Sequence, residues 1–241
     1  MLFESQLREM VLGTRMERPA RAFMEWRRPV LRRDRLDNER LTLLIDYVLR
    51  EDSCAVDVGA HQGLFLREMV RVAPRGRHVA FEALPELAGP LALELPTATV
   101  HQVAVGAKAG STTFLRNRDM MAWSCLADRA DVGGSRLEPF EVEMVTLDET
   151  LTDPPALIKI DVEGAEGLVL EGARETLRRH RPVVWFEHGA EASRGMGKDP
   201  EEIYDLLADC GMRIFDVDGG GPYTVREFVA PPPMIWTFIA R

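Results

Sequence analysis

The chain has 241 residues, of which 46% are hydrophobic and 29% are charged, and its formal net charge is −9 at pH 7. This composition is typical of a globular protein with a full core, and the negative charge argues against a nucleic-acid partner. No apolar run reaches the roughly 20 residues of a membrane span, and the start MLFESQLREM lacks the features of a secretion signal. Three cysteines without a C-x-x-C pair indicate reduced thiols and a cytoplasmic setting.

The N-terminal region is rich in arginine. Across residues 1–35, Arg alternates with apolar residues at spacings typical of amphipathic helices. From Asn38 to Val48 the apolar residues follow one helical stripe, with Asn38 as the expected N-cap. We therefore expect residues 1–50 to form a helical segment that either caps the main domain or serves as the arm of a homodimer.

Beyond residue 51, short apolar strands alternate with helices, which predicts a parallel sheet covered on both faces. The expected strands are 54–58, 78–82, 99–105, 156–161, 182–187, 212–217 and the C-terminal MIWTFIAR, and the expected helices are 64–72, 86–94, 164–178 and 200–209.

Between Gly106 and Asp153 this alternation breaks. Two strand-like stretches, Ser111 to Leu115 and Phe140 to Leu147, flank a polar stretch. Loops at the rim of α/β sheets usually shape the substrate site. We expect an insertion at about 106–153 that covers the substrate, with Trp123 and Ser124 as contacts. A Trp face suits a sugar ring, and packing in the core is the alternative for Trp123.

The loop DVGAHQG, residues 57–63, follows the first expected strand. Glycines at Gly59 and Gly63 let the backbone turn sharply and approach a ligand. The dinucleotide fingerprint G-x-G-x-x-G would need glycine where the chain has His61. The arrangement D-x-G-x-x-x-G resembles instead the S-adenosylmethionine loop of Rossmann-like methyltransferases. Asp57 can attract the ammonium group of such a ligand, and Glu82 can accept hydrogen bonds from both ribose hydroxyls. A turn made only for packing and a solvated Glu82 are the alternatives.

The stretch ALIKIDVEGAEGLVLEGA, residues 156–173, ends a buried strand in carboxylates. Asp161 falls at the carboxyl end of the strand, where open α/β sheets bind ligands. Glu166 falls in the first turn of the next helix, where an acid interacts well with the helix dipole. We expect a functional role for Asp161 and a structural one for Glu166, and for Glu163 both remain open.

The next strand, PVVWFEHG, ends in Glu187 and His188. If the two strands are neighbours, Asp161 and Glu187 converge above the sheet. His188 titrates near neutrality and is a candidate base for a hydroxyl proton, with a surface-loop histidine as the alternative. A divalent ion between Asp161 and Glu187 is chemically reasonable, since a metal can acidify a hydroxyl, but no spacing demands it.

Together these motifs resemble the FkbM family of S-adenosylmethionine-dependent methyltransferases. The resemblance covers roughly residues 54–190 and rests on DVGAHQG, FEALPE, HQVAVG with AGSTTF, TLDE, IKIDVEGAE with VLEGA, and the Glu of WFEHG. The family more often has Asn where this chain has His61. The resemblance implies a Rossmann-like class I methyltransferase fold of the α/β class. Its sheet is seven-stranded and mostly parallel, with an antiparallel C-terminal strand.

The resemblance also implies S-adenosylmethionine as cofactor and a small-molecule or glycan acceptor, with a sugar hydroxyl preferred to a polyketide hydroxyl or a carboxylate. The residues expected to bind the cofactor are Asp57, Gly59, Ala60, His61, Gly63, Glu82, Ala104 and Asp161. The candidate catalytic residues are Asp161, Glu187 and His188, and the candidate substrate contacts are Trp123, Ser124 and Glu163. An NAD-dependent oxidoreductase and a non-catalytic binding module are the rival interpretations.

Overall fold

The computed structural model describes residues 17–118, 124–126 and 136–241. The chain divides into two compact units, Met1–Leu41 and Thr42–Arg241. Within the described residues, no helix combines the length and apolar character needed to cross a bilayer.

In chain order the strands are β1 (Cys54–Val58), β2 (Val79–Phe81), β3 (Thr99–His101), β4 (Ala104–Val105), β5 (Gly110–Asn117), β6 (Cys125–Leu126), β7 (Leu137–Val145), β8 (Pro155–Ile160), β9 (Val183–Glu187), β10 (Ile214–Asp216) and β11 (Thr237–Ala240). The helices are α1 (Glu17–Arg27), α2 (Pro29–Val48), α3 (Leu64–Val72), α4 (Pro85–Glu94), α5 (Leu147–Thr150), α6 (Glu166–Glu171), α7 (Arg174–His180), α8 (Ala190–Gly195), α9 (Pro200–Asp209) and α10 (Val225–Val229).

The N-terminal helices α1 and α2 differ from expectation at one point. Asn38 is not an N-cap, because α2 already begins at Pro29 and continues through it. Proline suits the first turn of a helix, where its missing N–H has no helical partner. Phe23 and Trp26 of α1 lie with their ring centroids 6.2 Å apart and are 54% and 78% exposed.

The main sheet has seven strands in the order β10-β11-β9-β8-β1-β2-β3. The ladders from β9 to β3 are parallel, and β11 runs antiparallel to both of its neighbours. The mostly parallel seven-stranded sheet with an antiparallel C-terminal strand is therefore confirmed. Its strands are continuous apolar runs because both faces are covered.

Helices cover both faces of this sheet. On one face, a large apolar cluster joins strand residues such as Ile158 and Phe186 to residues of α6, α7, α9 and α10. On the other face, Leu66 of α3 and Leu91 of α4 pack against Ala80. Burial of these apolar faces holds the layers together and fixes the ends of the strands relative to one another.

Two expected elements are interrupted. The helix expected over 164–178 is two helices, α6 and α7, separated at Gly172 and Ala173. A Cβ atom on Gly172 would lie 2.1 Å from the carbonyl oxygen of Gly106, so another chain segment approaches the backbone at this break. The strand expected over 99–105 is also divided, because β3 belongs to the main sheet and β4 to a second sheet.

The second sheet has the strand order β4-β7-β5-β6, and three of its strands, β5, β6 and β7, come from the stretch where we expected an insertion. Its long pair is the antiparallel ladder of β5 and β7. Leu126 and Val142 of this sheet share an apolar cluster with Ala83, which follows β2, and with Ala165, which follows β8. The small sheet therefore lies against the loops at the carboxyl ends of the main strands.

Candidate functional site

The loop after β1 is held against the ends of two other strands. The N–H groups of Gly59 and Ala60 both donate to the carbonyl oxygen of Phe81 on β2, at 2.9 and 3.1 Å. Gly59 has a φ of +76°, and a Cβ atom there would lie 1.9 Å from the carbonyl oxygen of Asp161. Only glycine meets both conditions, since it tolerates positive φ and allows this approach.

Glu82 fixes the far side of the loop. Its Oε2 accepts a hydrogen bond of 2.7 Å from the N–H of His61, and its Oε1 accepts one of 2.9 Å from the N–H of Leu84. Burial raises the pKa of Glu82, and the two N–H groups oppose that shift. A carboxylate offers about four acceptor positions. Two therefore remain for a ligand such as the two hydroxyls of a ribose.

Lys159 is a buried cation beneath the loop. Its Nζ donates to the carbonyl oxygen of Gly59 at 2.7 Å. It also lies 3.1 Å from Oδ1 of Asp57 and 3.6 Å from Oδ2 of Asp161. Although burial acts to lower it, these carboxylates raise the pKa of Lys159 above its usual value. The sequence signal was a single charged residue inside the apolar run ALIKI, for which we predicted no role.

Asp57 does not face an open cleft. Its side chain is 1% exposed and is directed at Lys159, and burial raises its pKa. A direct contact with the ammonium group of a ligand would require this buried side chain to become accessible. The expected contact between Asp57 and a ligand ammonium group stays a prediction.

Three carboxyl groups share the edge formed by β8 and β9. These strands are parallel neighbours, so Asp161 and Glu187 follow or end them at the same edge of the sheet. Glu163 lies between them in the chain with a φ of +55°, a conformation that non-glycine residues adopt rarely. Burial, and then the charges of Asp161 and Glu163, raise the pKa of Glu187 to about 9. This shift favours the protonated carboxyl group, which can donate a hydrogen bond.

Glu166 stabilises the turn that carries Glu163. Its Oε1 accepts hydrogen bonds from the N–H groups of Gly164 at 2.9 Å and Val162 at 3.3 Å. The side chain is buried, and burial raises its pKa to about 7. Its partners are backbone groups of the turn, which gives it a structural role.

His188 lies on the other face of the sheet from Glu187. Its ring stacks on Phe228 with centroids 4.8 Å apart and also lies near Phe238. Successive residues of an extended strand point to opposite faces, so His188 shares the apolar side of Phe186. Burial lowers its pKa to about 4. The ring of His188, the candidate base, therefore lies among aromatic side chains rather than in a surface loop.

Ala104 and Ser124 belong to the small sheet or lie beside it. Ala104 is buried in β4. The hydroxyl of Ser124 accepts a hydrogen bond of 3.0 Å from the N–H of Asn117. This bond joins Ser124 to the last residue of β5. Trp123 lies outside the described residues.

The side chains present do not fit a divalent ion between Asp161 and Glu187. In the part of the chain that the structure describes, no three His, Cys, Asp or Glu side chains are arranged to hold a metal. Lys159 already places a positive charge beside Asp161.

The methyltransferase FkbM domain matches residues 57–214, which is more than half of the chain. The chain belongs to the FkbM methyltransferase domain family. The matched range of this FkbM domain contains the glycine loop, Glu82, Lys159, the carboxylates after β8, and Glu187.

Similar proteins of known structure include a methyltransferase FkbM, which shares the fold of this FkbM domain. The methyltransferase FkbM from Methylobacillus flagellatus KT is 19% identical, with a TM-score of 0.50, over 80% of this chain and 44% of that protein. The chain thus spans less than half the length of that relative. The O-methyltransferase from Bacillus cereus, solved in complex with SAH, is 12% identical, with a TM-score of 0.46, over 85% of this chain and 79% of that one. No curated protein sequence matches the chain.

Proposed function

We propose that this FkbM domain transfers a methyl group from S-adenosylmethionine to a hydroxyl oxygen. A sugar of a glycan or glycosylated natural product is the first choice of acceptor, and a polyketide-type metabolite is the second. The observation that carries the proposal is the rigid glycine loop beside Glu82, whose carboxylate keeps acceptor capacity for a ribose. This arrangement lies at the carboxyl ends of parallel strands, where α/β sheets bind nucleosides.

The cofactor site is assigned as follows. Gly59, Ala60, His61 and Gly63 supply the loop surface, and Glu82 binds the ribose. Ala104 lies on the side assigned to the adenine. Asp161 is the carboxylate assigned to the sulfonium end, since its side chain is 34% exposed and is held by Lys159.

Methyl transfer is an in-line displacement that requires alignment and removal of one proton. S-adenosylmethionine, when bound, supplies the methyl group and leaves as the neutral thioether. The acceptor oxygen forms its bond to the methyl carbon as the carbon–sulfur bond breaks, and the hydroxyl proton passes to a base. Asp161 is the base that we propose. Glu187, whose raised pKa favours the protonated form, orients the acceptor by donating a hydrogen bond.

Other assignments follow from the same reasoning. Glu163, held at positive φ beside Glu187, is proposed as an acceptor contact. His188 is not retained as the base, because its ring lies in the aromatic core. A small-molecule or glycan acceptor, a cytoplasmic location and a homodimer through residues 1–50 remain proposals.

An NAD-dependent oxidoreductase is the nearest alternative enzyme. It would share Glu82 and the strand-loop-helix unit. At the position where the dinucleotide fingerprint requires glycine, this chain has His61 with a φ of +49°. A side chain there would occupy the space that the pyrophosphate uses in dinucleotide-binding proteins, which favours the methyl donor.

Calorimetric titrations with S-adenosylhomocysteine and, separately, with NAD test the cofactor. We expect micromolar binding of S-adenosylhomocysteine and at least a tenfold loss in Glu82→Ala. Glu94→Ala is the matched control, because Glu94 is an exposed carboxylate on α4 paired with Arg67. Binding of NAD alone, or equal affinities in Glu82→Ala and wild type, would contradict the proposal.

A further inference from the structure

Lys159 is a charged residue in the middle of a buried sheet. It lies on β8, between β1 and β9, and is 2% exposed. A buried ammonium group is unfavourable unless it is fully paired. Its retention in a strand that is otherwise apolar therefore indicates a specific role for the charge.

The polar partners of Lys159 all belong to the carboxyl ends of two strands. They are the carbonyl oxygens of Val58 at 3.4 Å and Gly59 at 2.7 Å, and the carboxylates of Asp57 and Asp161. The ring of Phe65, from the first turn of α3, lies 6.0 Å from Nζ. The ammonium group thus joins the start of the glycine loop to the first carboxylate after β8.

The contact with Gly59 fixes one peptide plane of the loop. The carbonyl oxygen of Gly59 accepts from Lys159, and the N–H of Ala60, which belongs to the same peptide, donates to Phe81 at 3.1 Å. The next N–H, that of His61, donates to Glu82. A peptide held at both its C=O and its N–H cannot rotate without breaking a hydrogen bond.

We propose that Lys159 is a positioning residue of the cofactor site, whose ammonium group holds the Gly59–Ala60 peptide and the carboxylates of Asp57 and Asp161 in the binding conformation. This inference rests on the proposed function. Its physical basis is preorganisation: a loop that is already ordered loses less entropy when the ligand binds.

Replacement of Lys159 by methionine removes the ammonium group and keeps a side chain of similar volume. Lys159→Met leaves the Gly59 carbonyl without this donor and leaves Asp57 and Asp161 without their shared cation. We expect at least a tenfold loss of affinity for S-adenosylhomocysteine, which has no sulfonium charge and therefore reports the order of the loop. If Lys159 acted only as a charge near the sulfonium, its loss would leave the affinity for S-adenosylhomocysteine unchanged.

Two controls accompany this variant. Lys198→Met removes another ion-paired lysine, whose Nζ lies 2.7 Å from Glu171, and we expect it to keep full affinity. Leu207→Ala lowers stability from a fully buried position on α9 and should also keep its affinity. A loss of affinity for S-adenosylhomocysteine in Lys159→Met that is no larger than in Leu207→Ala overturns the inference.

The wild-type protein gives a second test that does not depend on a variant folding. The chain has three lysines, at 108, 159 and 198, so an NMR spectrum of lysine ammonium groups contains few signals. We expect S-adenosylhomocysteine to shift the Lys159 signal and not the Lys198 signal. No shift at Lys159 upon saturation overturns the inference and leaves the methyltransferase proposal intact.

Amide hydrogen exchange, measured without any ligand, tests the role of Lys159 in the loop even where the proposed function fails. If the wild-type protein binds no S-adenosylhomocysteine, the proposed function fails. The loop can still be measured. We expect the amides of Ala60 and His61 to exchange at least tenfold faster in Lys159→Met, with the amide of Phe238 in β11 as reference. Equal exchange at these two amides would show that Lys159 does not hold the loop.

Discussion

Burial shifts the ionisable side chains near the sheet edge towards their neutral forms. It raises the pKa of Glu187 to about 9 and of Glu166 to about 7, and it lowers the pKa of His188 to about 4. In each case the charged form loses hydration. At pH 7 the edge therefore carries less charge than its residue types suggest, and Glu187 is available as a hydrogen-bond donor.

A single substitution tests directly whether His188 acts as the base. Because its ring stacks on Phe228 in the aromatic core, we expect His188→Phe to fold, to bind S-adenosylhomocysteine with wild-type affinity and to keep its turnover. Calorimetry and an activity assay with an identified acceptor measure these quantities. Reduced turnover with intact cofactor affinity would restore His188 as the candidate base.

The same variant should resist acid better than wild type. The folded pKa of His188, about 4, lies below its ordinary value of 6.5. The stability that this shift contributes is present above pH 6.5 and is lost as the pH falls through 4. Phenylalanine does not titrate, so urea unfolding between pH 7 and 4 should show a smaller loss of stability in His188→Phe.

At the scale of elements, the sequence predicts the bounds of a strand or helix well where the residues within and next to that element set where it begins and ends. The strand Cys54–Val58 and the helix Leu64–Val72 occur at their expected bounds, because an apolar run, a glycine turn and a helical stripe follow one another. The split of 164–178 was not predictable in this way. It depends on the carbonyl of Gly106, which is distant in sequence and approaches Gly172 only in the folded chain.

Some contacts of the candidate site were predictable from the sequence, and others were not. That Asp161 and Glu187 share an edge follows from the end positions of neighbouring strands. The pairing of Lys159 with Asp57 requires the register between β8 and β1, which the sequence does not state. The placement of His188 was predictable, since consecutive residues of a strand cannot share a face.

The break between α6 and α7 can be tested through Gly172. We expect Gly172→Ala to lower the free energy of unfolding by more than about 1 kcal/mol, because overpacking typically destabilises by about 1–3 kcal/mol and a Cβ would meet the Gly106 carbonyl at 2.1 Å. Gly89→Ala in α4 is the control, since no atom lies within 4 Å of its Cβ position. Chemical denaturation measures both variants. Equal stability of Gly172→Ala and wild type would show that the segment near Gly106 can move away.

At the scale of the whole molecule, the strand order places the candidate site centrally. From β1 the chain adds β2 and β3 on one side, and β8 and β9 lie on the other. The gap between β1 and β8 is therefore the point where the direction of winding reverses, which is where open α/β sheets bind their ligands. The glycine loop and Asp161 flank this point.

We expect the free energy of unfolding of the whole molecule to fall in alkaline solution, because the buried Glu187 ionises there. Its folded pKa, about 9, exceeds its ordinary value of 4.5. The contribution of this shift is complete below pH 4.5 and is lost as the pH rises through 9. Glu187→Gln cannot ionise, so its stability relative to wild type should increase from pH 5 to pH 9 in urea unfolding. The exposed Glu191 gives the control Glu191→Gln. A relative stability of Glu187→Gln that stays constant with pH would contradict the shifted pKa.

The second sheet also has a consequence for how such a protein can change its specificity. The antiparallel ladder of β5 and β7 closes at the pair Asn117 and Leu137, and the chain between these residues leaves and re-enters the ladder at adjacent positions. A segment anchored in this way can be lengthened or exchanged at small entropic cost, about 0.6 kcal/mol for each doubling of loop length. Evolution, or a protein engineer, can therefore lengthen the connections on either side of β6 and leave Leu126, the glycine loop, Glu82 and Lys159 untouched.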